Sequence, residues 1–449
     1  MEQPLRDGST RGAGPRIRVM DTTQAPGAQP AHPADTTTEV RHDAPAGSQA
    51  QAHTQADSEQ ALHDGWVRWR HEFHRFPETG FAEQRTAARV SGLLQALGWT
   101  VAEGIGGTGV VASLTVGTSP RTLGLRADMD ALAMQEQAPG RAWASAHDGC
   151  MHACGHDGHM AMLLGAAELL ARRRDFDGTV RLIFQPAEEH GRGAAAMLAD
   201  GLLARFPIDE IYGAHNIPGL PTGHIATRVG GLMASEDNFR ITVEGRGGHA
   251  ARPQQTVDAL LIGAEIVLAL QTVVARSVDP RAAAVVSCTR FHTDGIRNAI
   301  AGRAVIEGDT RSDDPAVQAL LERRIREIAA GIGAAHGARC TIDYTHDFAP
   351  TVNDRDCTAW AVRAAQAVAG AAAVETDTPP MMISEDFGRF LQVVPGAFVF
   401  IGNGDGSGPG SVPLHNPGYD FNDAIVPLGA RWFAELARLR LPAGRLAGG

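Results

Sequence analysis

A nine-residue segment, residues 151–159, contains three histidines, one cysteine and one aspartate. Thiolate and imidazole are the side chains that best hold a divalent transition metal, and the order Cys154-Gly155-His156 can bring two ligands from one tight loop to the same ion. The alternative is a structural cysteine beside ordinary histidines. We interpret the segment as a metal-binding loop, so the fold must bring further ligands to it.

Further candidate ligands occur at the ends of apolar runs. The strand-like run 182–185 stops at Pro186 and is followed by Glu188 and Glu189, one of which could bind metal while the other handles a proton. An isolated pair of glutamates is more often two solvated charges. His215 follows another apolar run, and His415 lies in a proline-flanked turn. Each histidine alone would more often be a hydrogen-bonded bystander.

Together these segments provide five candidate ligands, namely Cys154, His156, Glu189, His215 and His415. Five are too many for one tetrahedral zinc, but they suit two ions about 3.5–4 Å apart that share a bridging ligand and a bridging water. A two-metal centre acidifies its water and polarises a carbonyl, which leaves a nearby carboxylate to carry the proton to the departing amine. Glu188 is the candidate for that carboxylate.

Six motifs occur in order along the chain, at residues 70–81, 125–132, 152–157, 185–189, 247–253 and 384–388. Through them, residues 66–432 resemble the M20D branch of the M20 metallopeptidases, the amidohydrolases typified by hippurate hydrolases, N-acyl-amino-acid deacylases and auxin-conjugate hydrolases. Ala133, His190 and Gln254 depart from the usual pattern, and none of the three is a candidate ligand.

The resemblance implies roles for individual residues. The five candidates above are similar to the family's metal ligands, and Glu188 resembles its general base and acid. Asp128 and Asp130 lie in the family's acidic strand-end motif, and we expect one of them to orient a ligand or the catalytic group. His249 resembles a lid histidine that stabilises the oxyanion in the neighbouring subunit, and the alternative is a turn residue between Gly248 and Pro253.

Three weaker assignments concern the substrate. Asn298 and Arg311 are candidate lid contacts for a carboxylate or carbonyl. The glycine-rich loop 402–406 could offer backbone N–H groups.

Composition favours a soluble enzyme. The 449 residues are 43% hydrophobic, and the net charge of −11 argues against nucleic acid as a partner. Five widely spaced cysteines do not resemble a disulfide framework, and a metal-bound thiolate favours a reducing compartment. The N-terminus lacks an apolar signal core, and we find no apolar run expected to cross a membrane. Cytoplasmic localisation is the expectation.

The hydrophobic pattern predicts an α/β fold in three parts. Residues 1–60 have few large apolar side chains and are predicted to be a disordered extension. Residues 61–236 and 351–449 are predicted to form a catalytic domain, an α/β sheet with helices on both faces and ligands at strand ends. Its expected elements include strands at residues 109–116 and 208–212 and a helix at residues 160–173. Residues 237–350 read as strand, helix, two strands, helix, strand, a ferredoxin-like split βαβ lid. The family resemblance implies a homodimer through this lid.

The predicted function is metal-dependent hydrolysis of the amide bond of an N-acyl amino acid, or of a similar small amide with a free carboxylate. A dipeptidase or exopeptidase of the same clan and a non-catalytic binding protein are the alternatives. A zinc deaminase is disfavoured because the chain lacks a Pro-Cys-x-x-Cys pair. Two divalent ions per subunit are expected, zinc or manganese, with cobalt or nickel also compatible. The sequence does not select the acyl group, the amino acid or the ion.

Overall fold

The computed structural model describes residues 46–406, 408 and 410–443. The predicted extension therefore lies outside the described residues as far as residue 45. From Ala46 the chain is helical, so the boundary predicted at residue 61 falls within helix α1 (Ala46–Arg75). The reason is composition, because residues 46–61 contain no proline and are rich in alanine and glutamine, which favour helix. The compact unit that begins at Ala56 is described below.

The larger domain is built from two separated parts of the chain. The first part consists of α1, α2 (Gln84–Ala96), β1 (Thr100–Ile105), β2 (Gly109–Val116), β3 (Thr122–Asp128), α3 (His156–Arg173), β4 (Gly178–Gln185), α4 (Gly193–Ala199), α5 (Leu202–Arg205), β5 (Glu210–Pro218), β6 (Ile225–Ala226) and β7 (Gly230–Met233).

The lid follows, with β8 (Glu236–Glu244), β9 (Gly248–His249), α6 (Ala259–Ser277), β10 (Ala284–Thr293), β11 (Ala299–Ile300), β12 (Arg303–Ser312), α7 (Pro315–Ala335) and β13 (Arg339–Phe348). The chain then returns to the larger domain through β14 (Thr351–Asn353), α8 (Arg355–Ala369), β15 (Val374–Glu375), α9 (Gly388–Leu391), β16 (Gly396–Gly404) and α10 (Val426–Arg440).

An eight-stranded mixed sheet forms the centre of the larger domain, in the order β1-β2-β4-β3-β5-β16-β6-β15. Strands β4, β3, β5 and β16 run parallel to one another, whereas β1 and β2 are antiparallel. Parallel neighbours end at the same sheet edge, and α/β sheets place their functional groups at that carboxyl edge. The topology therefore brings the ends of β3, β4 and β5 together.

Alternating side chains of the sheet enter two hydrophobic cores, as the period of two along a strand requires. On β2, Val110 and Ala112 pack with helices α1, α2, α3, α8 and α10, whereas Val111 packs with α4, α5 and α9 on the opposite face. The predicted α/β domain with helices on both faces is confirmed.

The lid is a four-stranded antiparallel sheet in the order β10-β12-β8-β13. Helices α6 and α7 cover one face and pack on alternate β8 residues, Phe239, Ile241 and Val243. With its helices following the first and third strands, this order is that of a split βαβ module. The predicted ferredoxin-like insertion therefore agrees with the structure.

Helix α6 corrects one expectation from the sequence. An 18-residue window of this 19-residue helix has a mean hydropathy of 1.7, so by length and composition alone the helix could cross a membrane. Its inner face packs in the lid core through Ile262, Ile266 and Leu270, while Leu261 and Leu268 are 60% and 72% exposed. Helix α6 is thus a helix of the lid whose two faces are both apolar, one packed in the lid core and the other exposed.

Two functional segments have different boundaries from those predicted. The strand expected at residues 208–212 extends to Pro218, because β5 is a central strand that keeps pairing with β16 up to that residue. His215 therefore lies within a strand and not after it. Helix α3, predicted from Met160, begins at His156, so this candidate ligand is the first residue of a helix.

Candidate metal and catalytic site

The carboxyl edge of the sheet opens into a cavity of about 420 Å³ between the larger domain and the lid. Asp128 ends β3, the two glutamates follow β4, and His215 lies in β5. The cavity is lined by Cys154, Glu188, Glu189, His215, Met233, Glu236, Arg311, Phe348, Ile383, Ser384, Leu414 and His415. Four of the five predicted ligands line this cavity, and the fifth, His156, is fully buried beside it.

The five predicted ligands form two groups that share one residue. Cys154, His156 and His215 place ligand atoms within 4.8 Å of one another, and so do Cys154, Glu189 and His415. Each group offers three donors of the types that suit a transition metal. Cys154 is common to both groups, so its thiolate would help to hold both ions of a bound pair, and it lies at the centre of the site.

The two buried histidines present one nitrogen each to this site. Nδ1 of His156 donates to the backbone carbonyl of Asp130 at 2.8 Å, and Nδ1 of His215 donates to that of Asn216 at 2.7 Å. Hydrogen bonding at Nδ1 fixes the ring and leaves Nε2 as the donor to metal. Nε2 of His215 lies 3.3 Å from Cys154 Sγ.

Two buried polar atoms in the site lack a hydrogen-bond partner among the described residues, Nε2 of His156 and Oε1 of Glu189. They are 3.9 Å apart. Burying such atoms without partners is costly, and metal ions held by the two ligand groups would satisfy both atoms. Burial alone would lower the pKa of His156, but Asp128 and Asp130 raise it to about 10. The residues thus favour positive charge and fit two metal ions.

Gly155 is required by the close packing of the metal loop. Its φ is +95°, and a Cβ there would lie 2.3 Å from Asn216 Oδ1 and 2.7 Å from the Tyr419 hydroxyl. Only glycine adopts this conformation at low cost and leaves that space. The sharp turn lets Cys154 and His156 approach the same site.

Asp130 holds both glutamates and one metal ligand in place. Its carboxylate accepts the backbone N–H groups of Glu188 at 3.0 Å and Glu189 at 3.1 Å, while its carbonyl accepts from His156. Of the two aspartates in the motif, Asp130 therefore has the contacts expected of the residue that orients a ligand and the catalytic group.

Asp128 belongs to a buried cluster behind the site. Its two oxygens contact Nδ1 of His159 at 2.7 Å and the Arg126 guanidinium at 2.9 Å. Arg126 also binds Glu385 at 2.8 Å and Asp386 at 3.0 Å. Sequence reasoning did not assign a role to Arg126, Glu385 or Asp386. The available signal was a charged residue inside the apolar strand β3.

Glu188 lies beside the two ligand groups. Its Oε1 accepts the backbone N–H of Asp386 at 3.3 Å, and its Oε2 lies 3.9 Å from His156 Nε2. Burial raises the pKa of Glu188 well above its ordinary value, and the neighbouring carboxylates of Glu385 and Glu189 raise it further. A buried carboxyl group beside the two ligand groups has the chemistry to take a proton and return it.

His415 reaches the site from a distant part of the chain. Its backbone N–H donates to the carbonyl of Ala153 at 2.9 Å, which ties its turn to the metal loop. Its φ of +60° is uncommon for a residue other than glycine. Nε2 of His415 lies 3.5 Å from Glu189 Oε2. Strained backbone at a ligand is typical of functional positions.

A buried ion-pair network supports the metal loop from helix α1. Asp157, the residue after His156, binds Arg70 at 3.0 Å and His74 at 2.8 Å. All three side chains are inaccessible to solvent. The network accounts for part of the 70–81 motif, to which the sequence alone gave no role.

The predicted lid residues separate into two places. Arg311 lines the cavity, whereas His249 and Asn298 are exposed and do not line it in their own chain. The last two are neighbours, because β9 pairs with β11 and the Ala250 N–H donates to the Asn298 carbonyl at 3.1 Å. The suggested role of the 402–406 loop is wrong for Gly402 and Gly404, whose N–H groups already donate to His224 and Leu220.

Comparison with known proteins matches this architecture. The family model described as Peptidase family M20/M25/M40 matches residues 124–439. The chain belongs to this family. M20 membership confirms the resemblance drawn from the motifs and the predicted enzyme class, a metal-dependent amidohydrolase.

Individual M20 relatives cover most of the chain. It is 39% identical over 368 residues to the hippurate hydrolase of Campylobacter jejuni, covering 82% of this chain and 94% of that protein. It is 36% identical over 381 residues to thermostable carboxypeptidase 1 of Saccharolobus solfataricus, covering 84% and 95%. Among solved structures it is similar to the Bacillus subtilis YXEP protein, described as a dinuclear metal binding peptidase, with TM-score 0.75, 31% identity and coverage of 86% and 99%.

Replacing Cys154 with alanine is expected to lower the metal content of the M20 site, because this thiolate is the one donor common to both ligand groups. Elemental analysis after dialysis measures the effect. Cys150→Ala is the matched control, since Cys150 is a half-buried free cysteine outside both groups and should leave the metal content unchanged. Full metal occupancy in Cys154→Ala would show that the cysteine is not a ligand.

Proposed function

We propose that the protein hydrolyses the amide bond of N-acyl amino acids, or of similar small amides that carry a free carboxylate. The observation that carries the proposal is the site itself: two ligand groups share Cys154, and Glu188 stands beside them at the wall of the cavity. The hippurate hydrolase relative supports this substrate class.

The catalytic steps divide between the metal pair and Glu188. When bound, the metal pair supplies Lewis acidity toward the scissile carbonyl and lowers the pKa of water. Glu188 takes the proton from the attacking water and delivers it to the leaving amine. The Asp386 N–H holds one Glu188 oxygen, so that the other stays directed toward His156. Asp130 keeps both glutamates in register for these roles.

The cavity lining suits an amphiphilic substrate. Its apolar wall, suited to an acyl group, is formed by Met233, Phe348, Ile383 and Leu414. Arg311 is the arginine in this lining, and its planar guanidinium matches a substrate carboxylate.

The mixed donor set suits zinc or manganese, and cobalt or nickel are also compatible. A metal-binding thiol is best preserved in a reducing compartment, and all five cysteines are free. We therefore place the enzyme in the cytoplasm.

The lid supplies the surface for a homodimer. Strand β10 is an edge strand, and the adjacent helix α6 exposes Leu260, Leu261 and Leu268. Unpaired edge groups and exposed apolar side chains together suit pairing with a second copy of the chain. In such a dimer, the exposed His249 could reach the partner's cavity and stabilise the oxyanion.

Exopeptidase activity is the second candidate, favoured by the similarity to thermostable carboxypeptidase 1. A panel of N-acetyl, N-benzoyl and N-indoleacetyl amino acids beside dipeptides, assayed for amine release with each metal added in turn, separates the two. We expect kcat/KM for the best N-acyl amino acid to exceed that for any dipeptide by about tenfold or more, the discrimination that pocket contacts give. Preferential cleavage of dipeptides would favour the exopeptidase. Absence of turnover with every metal would revive a binding role.

A further inference from the structure

The cavity contains one ion pair that the proposed mechanism does not use. Arg311 on β12 contacts Glu236, the first residue of β8, with Nη2 2.8 Å from Glu236 Oε2. Both residues line the cavity. Their side chains are 25% and 29% exposed, so a molecule in the cavity can reach them. Sequence reasoning did not identify Glu236.

The other nitrogens of the guanidinium have partners. Nε contacts Asp309 at 3.2 Å, and Nη1 donates to the Met382 carbonyl at 3.1 Å and to the Ser384 hydroxyl at 3.0 Å. Nη2 is thus the nitrogen that a ligand could contact, and one of its N–H groups already pairs with Glu236. The Ser384 hydroxyl also lies 3.4 Å from Glu236 Oε2.

This arrangement has a consequence for substrate binding. Arg311 forms ion pairs with both Glu236 and Asp309, so one guanidinium already faces two carboxylates and offers little net attraction to another. Four of the five N–H groups of Arg311 have partners, and the free one is the second N–H of Nη2. A bidentate contact needs two N–H groups, so an incoming carboxylate that uses both on Nη2 must displace Glu236. The carboxylates of Glu236 and of the substrate would also repel each other if both contacted Arg311.

We propose that Glu236 is a specificity-determining residue that competes with the substrate carboxylate for Arg311. It weakens binding of substrates whose only anchor is a free carboxylate and leaves binding of the acyl group unchanged. The preference for a carboxylate substrate over a neutral analogue of the same size is therefore smaller than it would be with an unpaired arginine. This inference rests on the proposed function, which assigns the substrate carboxylate to Arg311.

The experiment measures binding in a variant that does not hydrolyse the ligand during the titration. The metal-loaded Glu188→Gln protein is titrated calorimetrically with N-benzoylglycine and with its uncharged primary amide. The same titrations are made with the double variant that also carries Glu236→Gln. We expect Glu236→Gln to lower the Kd of N-benzoylglycine about fivefold, the usual advantage of a charge-assisted over a neutral hydrogen bond, and to change that of the amide less than about twofold.

The matched control is Glu307→Gln, which removes the same charge from the lid but pairs with Arg240 and Arg290 outside the cavity. It should alter neither Kd. An unchanged or higher Kd for N-benzoylglycine in Glu236→Gln would overturn the inference, and so would equal tightening of both ligands, which would indicate a general change in the lid. Failure of the proposed function is seen separately, as absence of N-acyl amino acid turnover by the wild-type enzyme.

Discussion

Glu188→Gln is expected to retain its metals and to lose activity by a factor of roughly 10² or more, the range for a positioned acid or base. Glutamine keeps the size of the side chain and can still accept the Asp386 N–H, but it cannot take a proton from water. The two groups that share Cys154 provide three donors each without Glu188, although Glu188 also forms a third candidate group with His156 and Glu189. The loss should therefore appear in kcat, with metal content by elemental analysis unchanged.

The neighbouring residue provides the control for this assignment. Glu189→Gln makes the same chemical change one position along the chain, at a residue grouped with Cys154 and His415. It should lower both metal content and activity. Near-normal turnover of metal-loaded Glu188→Gln would show that another group carries the proton.

The elements of the fold could be predicted where local pattern determines them. Strand β2 begins and ends at the predicted residues, Gly109 and Val116, because its apolar run is bounded by glycines. The order of strands and helices in the lid was also predictable, because each element carries its own hydrophobic period. Strand ends in the centre of the sheet were not, since β5 continues past Tyr212 only because β16 pairs with it.

Candidate ligands could be identified from residue type and motif, but their arrangement could not. That Cys154 is the shared donor depends on Glu189, His215 and His415 approaching it from three distant segments. The buried cluster of Arg126 is similar, since Glu385 lies 259 residues away in sequence. Such contacts follow from the packing of strands and carry no local sequence period.

The lid residues also show that the sequence suggested candidates but not where they lie. The sequence placed Arg311 and Asn298 together as substrate contacts, yet only Arg311 lines the cavity of its own chain. Asn298 instead lies beside His249, on the small sheet formed by β9 and β11. If both roles are correct, two of the three lid residues must act on the cavity of a second subunit.

Mixing two inactive variants is expected to restore activity if the site is shared between subunits. Glu188→Ala and His249→Ala should each be nearly inactive, because every site in either homodimer lacks one required group. In a mixed dimer, the site on the His249→Ala subunit keeps its own Glu188 and receives an intact His249 from the partner. Random exchange makes about half of the dimers mixed, each with one good site of two, so roughly a quarter of wild-type activity should return for an isologous dimer.

The control for this experiment combines two variants whose substituted residues line the cavity of the same chain. Glu188→Ala mixed with Cys154→Ala should recover nothing, because both residues line the cavity of one chain and neither can be supplied by a partner's lid. Light scattering establishes the dimer, and subunit exchange is verified with differently tagged chains. If exchange is complete and the His249→Ala mixture stays inactive, His249 serves its own subunit or has no part in catalysis. Because His249 is exposed and outside its own cavity, recovery would assign it to the partner's site.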